Sequence, residues 1–291
     1  MIVVEFVQQL TNGILTGMTY ALVAVGLVLI FSVLRAINFA HGEYYMLGAL
    51  IAWTVLDRLR WPYVVAVVGA AMASAAIGYV VSRVLMERLL VMPLAMAVLA
   101  TLGVQLVLQN GAQIVWGASP KFFGGGWITP VAIGDVGIVG QQLVIFAAAA
   151  LAFAGLAWLV RRTRLGRAMR AVAQNREACA VVGLDVERVA RVTFTLGVTF
   201  AGLAGALVGP VLVNVGTTLG LPMVLRCFAV IVLGGVGSVP GALVGGLILG
   251  VTESFVAGYL TLQLRDAVGF VILITMLLVR PRGLFGVSVR A

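Results

Sequence analysis

Long apolar runs separated by short polar segments dominate this chain. Most runs exceed the roughly 18 residues that a helix needs to cross a bilayer, and they rarely alternate as the strands of a membrane β-barrel do. The pattern predicts an all-α fold, a polytopic transmembrane helical bundle of about eight to nine spans. The predicted spans are residues 6–34, 36–56, 61–82, 89–116, 140–160, 192–215, the interrupted stretch 225–260, and 264–279.

The stretch 225–260 is interrupted by a glycine-rich turn at 234–241. Four glycines and a proline within eight residues are incompatible with a smooth helix. Because broken helices at membrane depth often mark transport sites, the stretch is either a broken or re-entrant span or two helices joined by a surface turn. The first alternative makes four residues candidates for the path: Gly234, Gly235, Gly237 and Ser238.

One long polar segment, residues 161–191, determines the predicted orientation. It has eight arginines against three acids (Glu177, Asp185 and Glu187), a net charge of +5 out of the chain's +9. Such basic segments between apolar spans stay in the cytoplasm. Counting spans from this segment places the N-terminus outside and, if residues 225–239 cross fully, the C-terminus inside.

Within this segment the residues predict short helices with defined ends. Residues 165–174 are rich in good helix formers, and Asn175 can cap a second helix that carries Glu177 in its first turn. Gly183 fits the position just after that helix, and Asp185 can cap a third helix that enters the next span. A helix–turn–helix unit that two spans present in the cytoplasm is shaped to dock another protein.

Polar residues at the start of the second span are candidates for a translocation path, because ionisable groups at membrane depth usually face a bundle interior or a water-filled cavity. Asn38, His41 and Tyr45 fall at helical spacing on one face, with Glu43 in the first turns. The sequence allows three interpretations of these side chains. They act in gating or in the substrate path, they support the structure, or they lie hydrated at the level of the headgroups.

A polar stripe follows the fourth predicted span. Gln105 and Gln109 belong to a series that recurs every four residues from Thr101 to Gln113, with Asn110 beside it. Amides that faced lipid would lack partners, so the stripe either makes interhelical hydrogen bonds or lines a path.

One carboxylate, Glu253, lies deep in an apolar run. It is either a functional group of the path or the partner of Arg226 or Arg265, and the sequence leaves this choice open.

The composition, 62% hydrophobic and 10% charged, excludes a soluble globular protein and indicates one transmembrane domain over residues 1–291. The arginines cluster at span ends, so the membrane explains them and no nucleic-acid partner is expected. The one lysine, Lys121, precedes Phe122 and not Ser or Thr, so there is no Walker A loop. One histidine and two distant cysteines cannot build a common metal site. We expect no enzyme activity and no cofactor.

Four ordered motifs resemble the permeases of branched-chain amino-acid ABC importers. They are I-N-F-A-H-G-E at 37–43, E-A-C-x-x-x-G at 177–183, G-G-x-G-S-x-P-G at 234–241 and R-P-x-G-L-F-G at 280–286. The resemblance covers nearly the whole chain, and Cys179 replaces the second alanine of the family's E-A-A motif.

The resemblance implies a role for the segment 161–191 as the loop that couples the permease to an ATPase. The implied coupling residues are Arg167, Asn175, Glu177, Ala178, Cys179 and Gly183. The candidates for a translocation path or gate are Asn38, His41, Glu43, Gln105, Gln109, Gly234, Gly235, Gly237, Ser238 and Glu253.

The implied function is that of a permease subunit, in a bacterial inner membrane, which moves leucine, isoleucine and valine by alternating access. The implied partners are a sister permease, two cytoplasmic ATP-binding subunits, a periplasmic substrate-binding protein and the lipid bilayer. A urea or amide importer of the same family is the alternative. The rivals from other classes are an ion-driven carrier, which has no reason to present a docking helix, and a structural membrane subunit.

Overall fold

The computed structural model describes residues 2–86, 88, 92–126, 129–133 and 136–286. In this part of the chain it has eleven α-helices, two short π-helical segments and four short strands. The helices are α1 Ile2–Leu34, α2 His41–Trp53, α3 Tyr63–Val81, α4 Leu94–Trp116, α5 Gly140–Arg162, α6 Arg164–Gln174, α7 Arg176–Val181, α8 Val186–Leu212, α9 Gly220–Gly234, α10 Val239–Tyr259 and α11 Leu264–Val279. The π-helical segments are Thr54–Arg58 and Ser82–Met86, and the strands are β1 Lys121–Phe122, β2 Pro130–Ile133, β3 Val136–Val139 and β4 Asn214–Val215.

The strands lie in the connections between the long helices, so the predicted all-α membrane bundle is confirmed. Strands β2 and β3 form an antiparallel hairpin, and β1 pairs antiparallel with β4. The pattern of apolar runs predicted no strand in the stretch between the fourth and fifth spans, where the first three strands lie.

Helix α1 is the centre of the bundle, and it packs against α10 through backbone. A Cβ atom at Gly13 would lie 2.6 Å from Cα of Val251, and one at Gly17 would lie 2.8 Å from the carbonyl oxygen of Gly246. Small residues allow such close approach, which maximises van der Waals contact between membrane helices. Gly13 and Gly17, four residues apart, therefore form a close-packing face of α1.

Six helices in the described ranges are long and apolar enough to cross a membrane by length and composition: Val3–Leu34, Tyr63–Leu85, Ala95–Trp116, Gly140–Arg162, Val186–Leu212 and Val239–Tyr259. Helices α9 and α11 are apolar but shorter. The second predicted span is wrong at its start, because Arg35 has a φ of 52° and α2 begins only at His41. The count of eight to nine spans therefore stays a prediction.

The glycine-rich turn is confirmed as a break between two helices. Gly235 and Gly237 have φ angles of 103° and 85°, values that favour glycine, and the Ser238 hydroxyl accepts a hydrogen bond from the Gly241 amide at 3.1 Å to cap α10. The amides of Leu284 and Phe285 donate to carbonyl groups at the end of α9, each at 2.9 Å. The broken backbone is thus satisfied by the C-terminal segment.

This turn lies at the end of the bundle where the basic segment 161–191 also lies. The Ser32 hydroxyl donates to the Gly237 carbonyl oxygen at 3.3 Å, and the Arg35 guanidinium donates to the Ala173 carbonyl oxygen at 3.1 Å. Both contacts join the same end of α1 to these segments. The arrangement fits the alternative of a turn between two helices and places 280–286 on the side of the basic segment.

We expect the α1–α10 contact to be intolerant of a single methyl group. Gly17→Ala should lower the unfolding free energy by about 1–3 kcal/mol, because the added carbon meets backbone that cannot move aside. Gly103→Ala is the matched control, since a Cβ there meets nothing within 4 Å and alanine favours the helix. Thermal unfolding of the two variants in one detergent measures the difference, and equal midpoints would contradict this packing.

Candidate functional site

The segment 161–191 folds as the sequence predicts, into three helices with capped starts. The Thr163 hydroxyl accepts from the Gly166 amide at 3.0 Å and caps α6. The Asn175 side chain accepts from the Ala178 amide at 2.9 Å and caps α7, and the Asp185 carboxylate accepts from the Arg188 amide at 2.9 Å and caps α8. Local capping therefore determines where each helix of this segment starts.

Gly183 ends α7 as predicted. It has a φ of +80°, its amide donates to the Ala180 carbonyl oxygen at 3.0 Å, and the Leu184 amide donates to the Cys179 carbonyl oxygen at 3.0 Å. This pair of bonds is the Schellman arrangement, which satisfies the last carbonyl groups of a helix. A Cβ atom at Gly183 would meet nothing within 4 Å, so the backbone conformation selects glycine here and packing does not.

Helix α7 exposes one surface and buries another. Cys179 is buried in the main core, whereas Val181 and Val182 are 88% and 80% exposed. We call the exposed surface the docking face, which consists of Glu177, Ala178, Val181, Val182 and Gly183. Exposed apolar residues beside a carboxylate on a short, rigid helix suit the binding of another protein. The sequence analysis missed the two valines, although they lie within the motif.

Two other predicted coupling residues are also exposed. Arg167 is exposed on α6, and Asn175 is exposed between α6 and α7.

An arginine that the sequence analysis did not select attaches α7 to α1. The Arg176 guanidinium donates to the carbonyl oxygens of Val33 and Leu34 at 3.2 and 2.9 Å. Burial and then the neighbouring Arg35 lower the pKa of Arg176. The signal that could have identified it is the end of α1 itself, whose last carbonyl groups have no partners within the helix.

Asn38, His41 and Glu43 lie inside the protein and not at hydrated headgroups. His41 Nε2 lies 3.0 Å from the Val23 carbonyl oxygen, and Nδ1 has no partner within the described chain. The Glu43 carboxylate lies against Gly220, the first residue of α9, so the positive end of that helix faces it. Asn38 precedes α2 and accepts from the Ala40 amide at 3.1 Å. The predicted helical face shared by Asn38 and His41 is therefore wrong, because the backbone turns between them.

The polar stripe on α4 is divided between several environments. Thr101 is buried, donating to the Ile37 carbonyl oxygen at 3.2 Å and accepting from the Phe39 amide at 3.3 Å. Gln105 is buried and Gln109 is half-buried. Thr101 thus bonds the segment between α1 and α2 and not another helix, and the two interpretations of the glutamines stay predictions.

Glu253 is paired with both arginines that the sequence offered. Its Oε1 accepts from Arg226 Nε at 3.3 Å, and its Oε2 accepts from Arg265 Nε at 3.1 Å. The Tyr20 hydroxyl donates to the same carboxylate at 2.6 Å, and Arg265 donates to that hydroxyl at 3.1 Å. The cluster joins α1, α9, α10 and α11, which explains a buried carboxylate in an apolar run.

A cavity of about 390 Å³ lies beside this cluster. It is bounded by the start of α5, the end of α8 and the start of α9, which lie at the ends of these helices away from the basic segment. Polar groups from five helices line it: Thr16, Tyr20, Tyr45, Gln142, Arg226 and Arg265. The remaining walls are mainly aliphatic, so the cavity offers both charged and apolar contacts.

Comparison with known proteins assigns this chain, along nearly its entire length, to the family that its four motifs resemble. The family described as "Branched-chain amino acid transport system / permease component" matches residues 9–279. The high-affinity branched-chain amino acid transport system permease protein LivH of Salmonella typhimurium is 35% identical, with 97% of this chain and 96% of LivH covered. BraD of Pseudomonas aeruginosa, a permease protein with the same description, is 33% identical with the same coverage.

A solved structure agrees with the fold. PsaBC from Streptococcus pneumoniae in complex with Fab matches with a TM-score of 0.51 and 14% identity over 97% of each chain. At this identity the match shows the fold alone. The family match, the near-full-length relatives and the helical bundle together establish that this chain is a multi-pass membrane protein of the branched-chain amino acid transport permease family.

Proposed function

We propose that this chain is one of two permease subunits of a bacterial inner-membrane ABC importer for leucine, isoleucine and valine. The observation that carries the proposal is the near-full-length similarity to permeases of high-affinity branched-chain amino acid transport systems. It favours this function over the urea or amide importer. The geometry adds a rigid docking face, which an ion-driven carrier does not need.

The docking face is the proposed contact with an ATP-binding subunit. Glu177 supplies a charge and the valines supply apolar area, while Arg176 attaches the helix to the end of α1. Asp185 links α7 to α8, a helix of 27 residues. ATP-driven closure of two ATPases would move α7, and the attachments would pass this motion to α1 and α8.

The proposed assembly contains a sister permease, two ATPases and a periplasmic substrate-binding protein. The sister subunit completes the membrane core, and the binding protein delivers the amino acid to the outer side. This chain contributes a single transmembrane domain, residues 1–291, to the proposed assembly. Its partners supply the energy, because no Walker A sequence is present.

For the substrate path we propose that the cavity beside Glu253 is its outer section. Its volume of about 390 Å³ falls within the roughly 300–1,000 Å³ range of small-ligand pockets. An amino acid needs a polar region for its charged groups and an apolar region for an aliphatic side chain, and the cavity has both. Glu253 acts here by positioning Arg226 and Arg265.

The proposed inner section of the path is formed by the remaining candidates. Asn38 lies between the two residues that bond Thr101 of α4, and Gln105 and Gln109 follow Thr101 along that helix. His41 contacts α1, and Glu43 contacts the start of α9. The turn Gly234–Ser238 lies at the cytoplasmic end and forms the proposed exit.

We expect Glu177→Arg to abolish recovery of an ATPase with this chain from detergent-solubilised membranes, because the reversed charge lies on the docking face. Glu187→Arg is the matched control, since Glu187 is also an exposed acid of the same segment but lies outside that face. Recovery of the ATPase is measured by affinity purification and ATP hydrolysis. Loss with both variants, or with neither, would contradict the assigned face.

Membrane vesicles that contain the whole transporter should take up labelled leucine when ATP and the binding protein are supplied. Isoleucine and valine should compete with leucine, and urea should not. Gly183→Trp should abolish uptake while ATP hydrolysis continues, because a side chain at φ +80° strains the end of α7, where its Cβ atom meets no other atom within 4 Å. Competition by urea would favour the alternative importer, and wild-type uptake by the variant would contradict the coupling role.

Glu253→Gln should lower the unfolding free energy by about 3–5 kcal/mol, because it leaves two partly buried guanidinium groups without their carboxylate. For a chain of this size that corresponds to a fall of roughly 10 °C in the unfolding midpoint. Glu187→Gln is the control, because Glu187 is exposed. Equal midpoints for the two variants would show that the cluster does not join the four helices.

A further inference from the structure

A second cavity, of about 490 Å³, shares only Gly237 and Ser238 with the proposed transport path. It is a partly open cleft between the end of α1, the end of α5, helix α6 and the start of α10, at the cytoplasmic end of the bundle. We call it the cytoplasmic cleft. Its walls are mainly aliphatic and come from α1, α5, α6 and α10: Leu29, Val33, Leu156, Val160, Met169 and Val239.

The opening of the cleft carries positive charge. Arg161 and Arg170 line it and are exposed, and neither makes an ion pair or a hydrogen bond within the part of the chain that the structure describes. Ser238, the cap of α10, lines the same cleft; its hydroxyl oxygen accepts from the Gly241 amide and its proton is free to be donated. Two guanidinium groups and a hydroxyl donor suit a phosphate group.

The end of α5 indicates the depth of this opening in the membrane. Arg161 is in the last turn of α5, a helix long and apolar enough to span the bilayer, and arginines at the cytoplasmic end of a span lie near the headgroups. Helix α6 packs Met169 and Val172 against the bundle and exposes Arg164, Arg167 and Arg170. The aliphatic walls of the cleft, which continue into α1 and α5, then lie at the depth of the acyl chains.

We propose that the cytoplasmic cleft binds one anionic phospholipid of the inner leaflet. The headgroup phosphate lies between Arg161 and Arg170 and accepts the Ser238 proton, and an acyl chain lies along Leu156 and Val160. Basic pockets between membrane helices on the cytoplasmic side favour anionic headgroups. The aliphatic walls favour a lipid over a soluble phosphate as the occupant, because an acyl chain can pack against them and a free anion cannot.

Such a lipid would join the end of α5 and helix α6 to α10. Helix α6 directly precedes the docking face, so occupancy of the cleft would stabilise the segment that contacts the ATPase. The proposal does not depend on the transported solute, because no residue of the cavity beside Glu253 takes part.

The test is photolabelling of the full-length chain, with its co-purifying subunits, in phosphatidylcholine nanodiscs. These contain a small fraction of phosphatidylglycerol that carries a diazirine on its acyl chain, and peptides that contain Leu156 or Val239 are analysed by mass spectrometry. We expect strong labelling of these peptides. Labelling by diazirine phosphatidylcholine should be weak, since only the anionic headgroup pairs with the arginines.

The variants separate a specific site from general attraction to basic residues. Arg161→Gln with Arg170→Gln should reduce labelling by about fivefold for each arginine removed, whereas Lys at both positions should largely preserve it. The matched control is Arg162→Gln with Arg164→Gln, which removes the same charge from exposed residues outside the cleft. Size-exclusion profiles verify folding.

Three results would overturn the proposal. The first is unchanged labelling of the Arg161 and Arg170 variant, and the second is an equal loss in the control. The third is displacement of the lipid by millimolar inorganic phosphate, which would identify a site for a free anion.

Discussion

The backbone contact between α1 and α10 is the constraint on which the rest of the bundle depends. In a bilayer, apolar surface alone does not drive helices together, so close packing and internal hydrogen bonds must do so. Gly13 and Gly17 allow α10 to approach the α1 backbone directly. That contact buries α1, and 83% of an 18-residue apolar stretch of this helix lies inside the protein. Helices α5, α8 and α9 then surround a central helix that has little contact with lipid.

Helix α1 connects the two proposed functional regions because each is bonded to it. At its C-terminal end, Arg176 donates to the carbonyl oxygens of Val33 and Leu34 and attaches α7. In its middle, the Tyr20 hydroxyl binds Glu253 and Arg265 beside the outer cavity. We propose that one continuous helix transmits a displacement of α7 to the cavity beside Glu253. The Gly183→Trp variant measures whether α7 and the cavity beside Glu253 are coupled.

The sequence predicted well wherever the determining interactions are local. The caps at Asn175 and Asp185 and the glycine end of α7 depend on residues at most five positions apart, so the motif contains the information. The sequence alone could not predict that β1 pairs with β4, because the paired residues are about ninety positions apart (Lys121 with Val215). Nor could it show that the backbone turns between Asn38 and His41. For Glu253 it offered both arginines, and only the packing of α9 and α11 against α10 showed that both bind it.

The two buried carboxylates are stabilised in different ways, and the difference bears on which of them can change during transport. Glu253 accepts from two guanidinium groups and a phenol, so moving it would break several strong bonds at once. Glu43 is 1% exposed, makes no ion pair within the described residues, and has one oxygen without a hydrogen-bond partner. A helix end stabilises a carboxylate by about 0.3–2 kcal/mol, much less than paired arginines do. We infer that Glu253 belongs to the rigid part of the bundle, whereas Glu43, at the junction of α2 and α9, is the carboxylate whose surroundings change when these helices reorient.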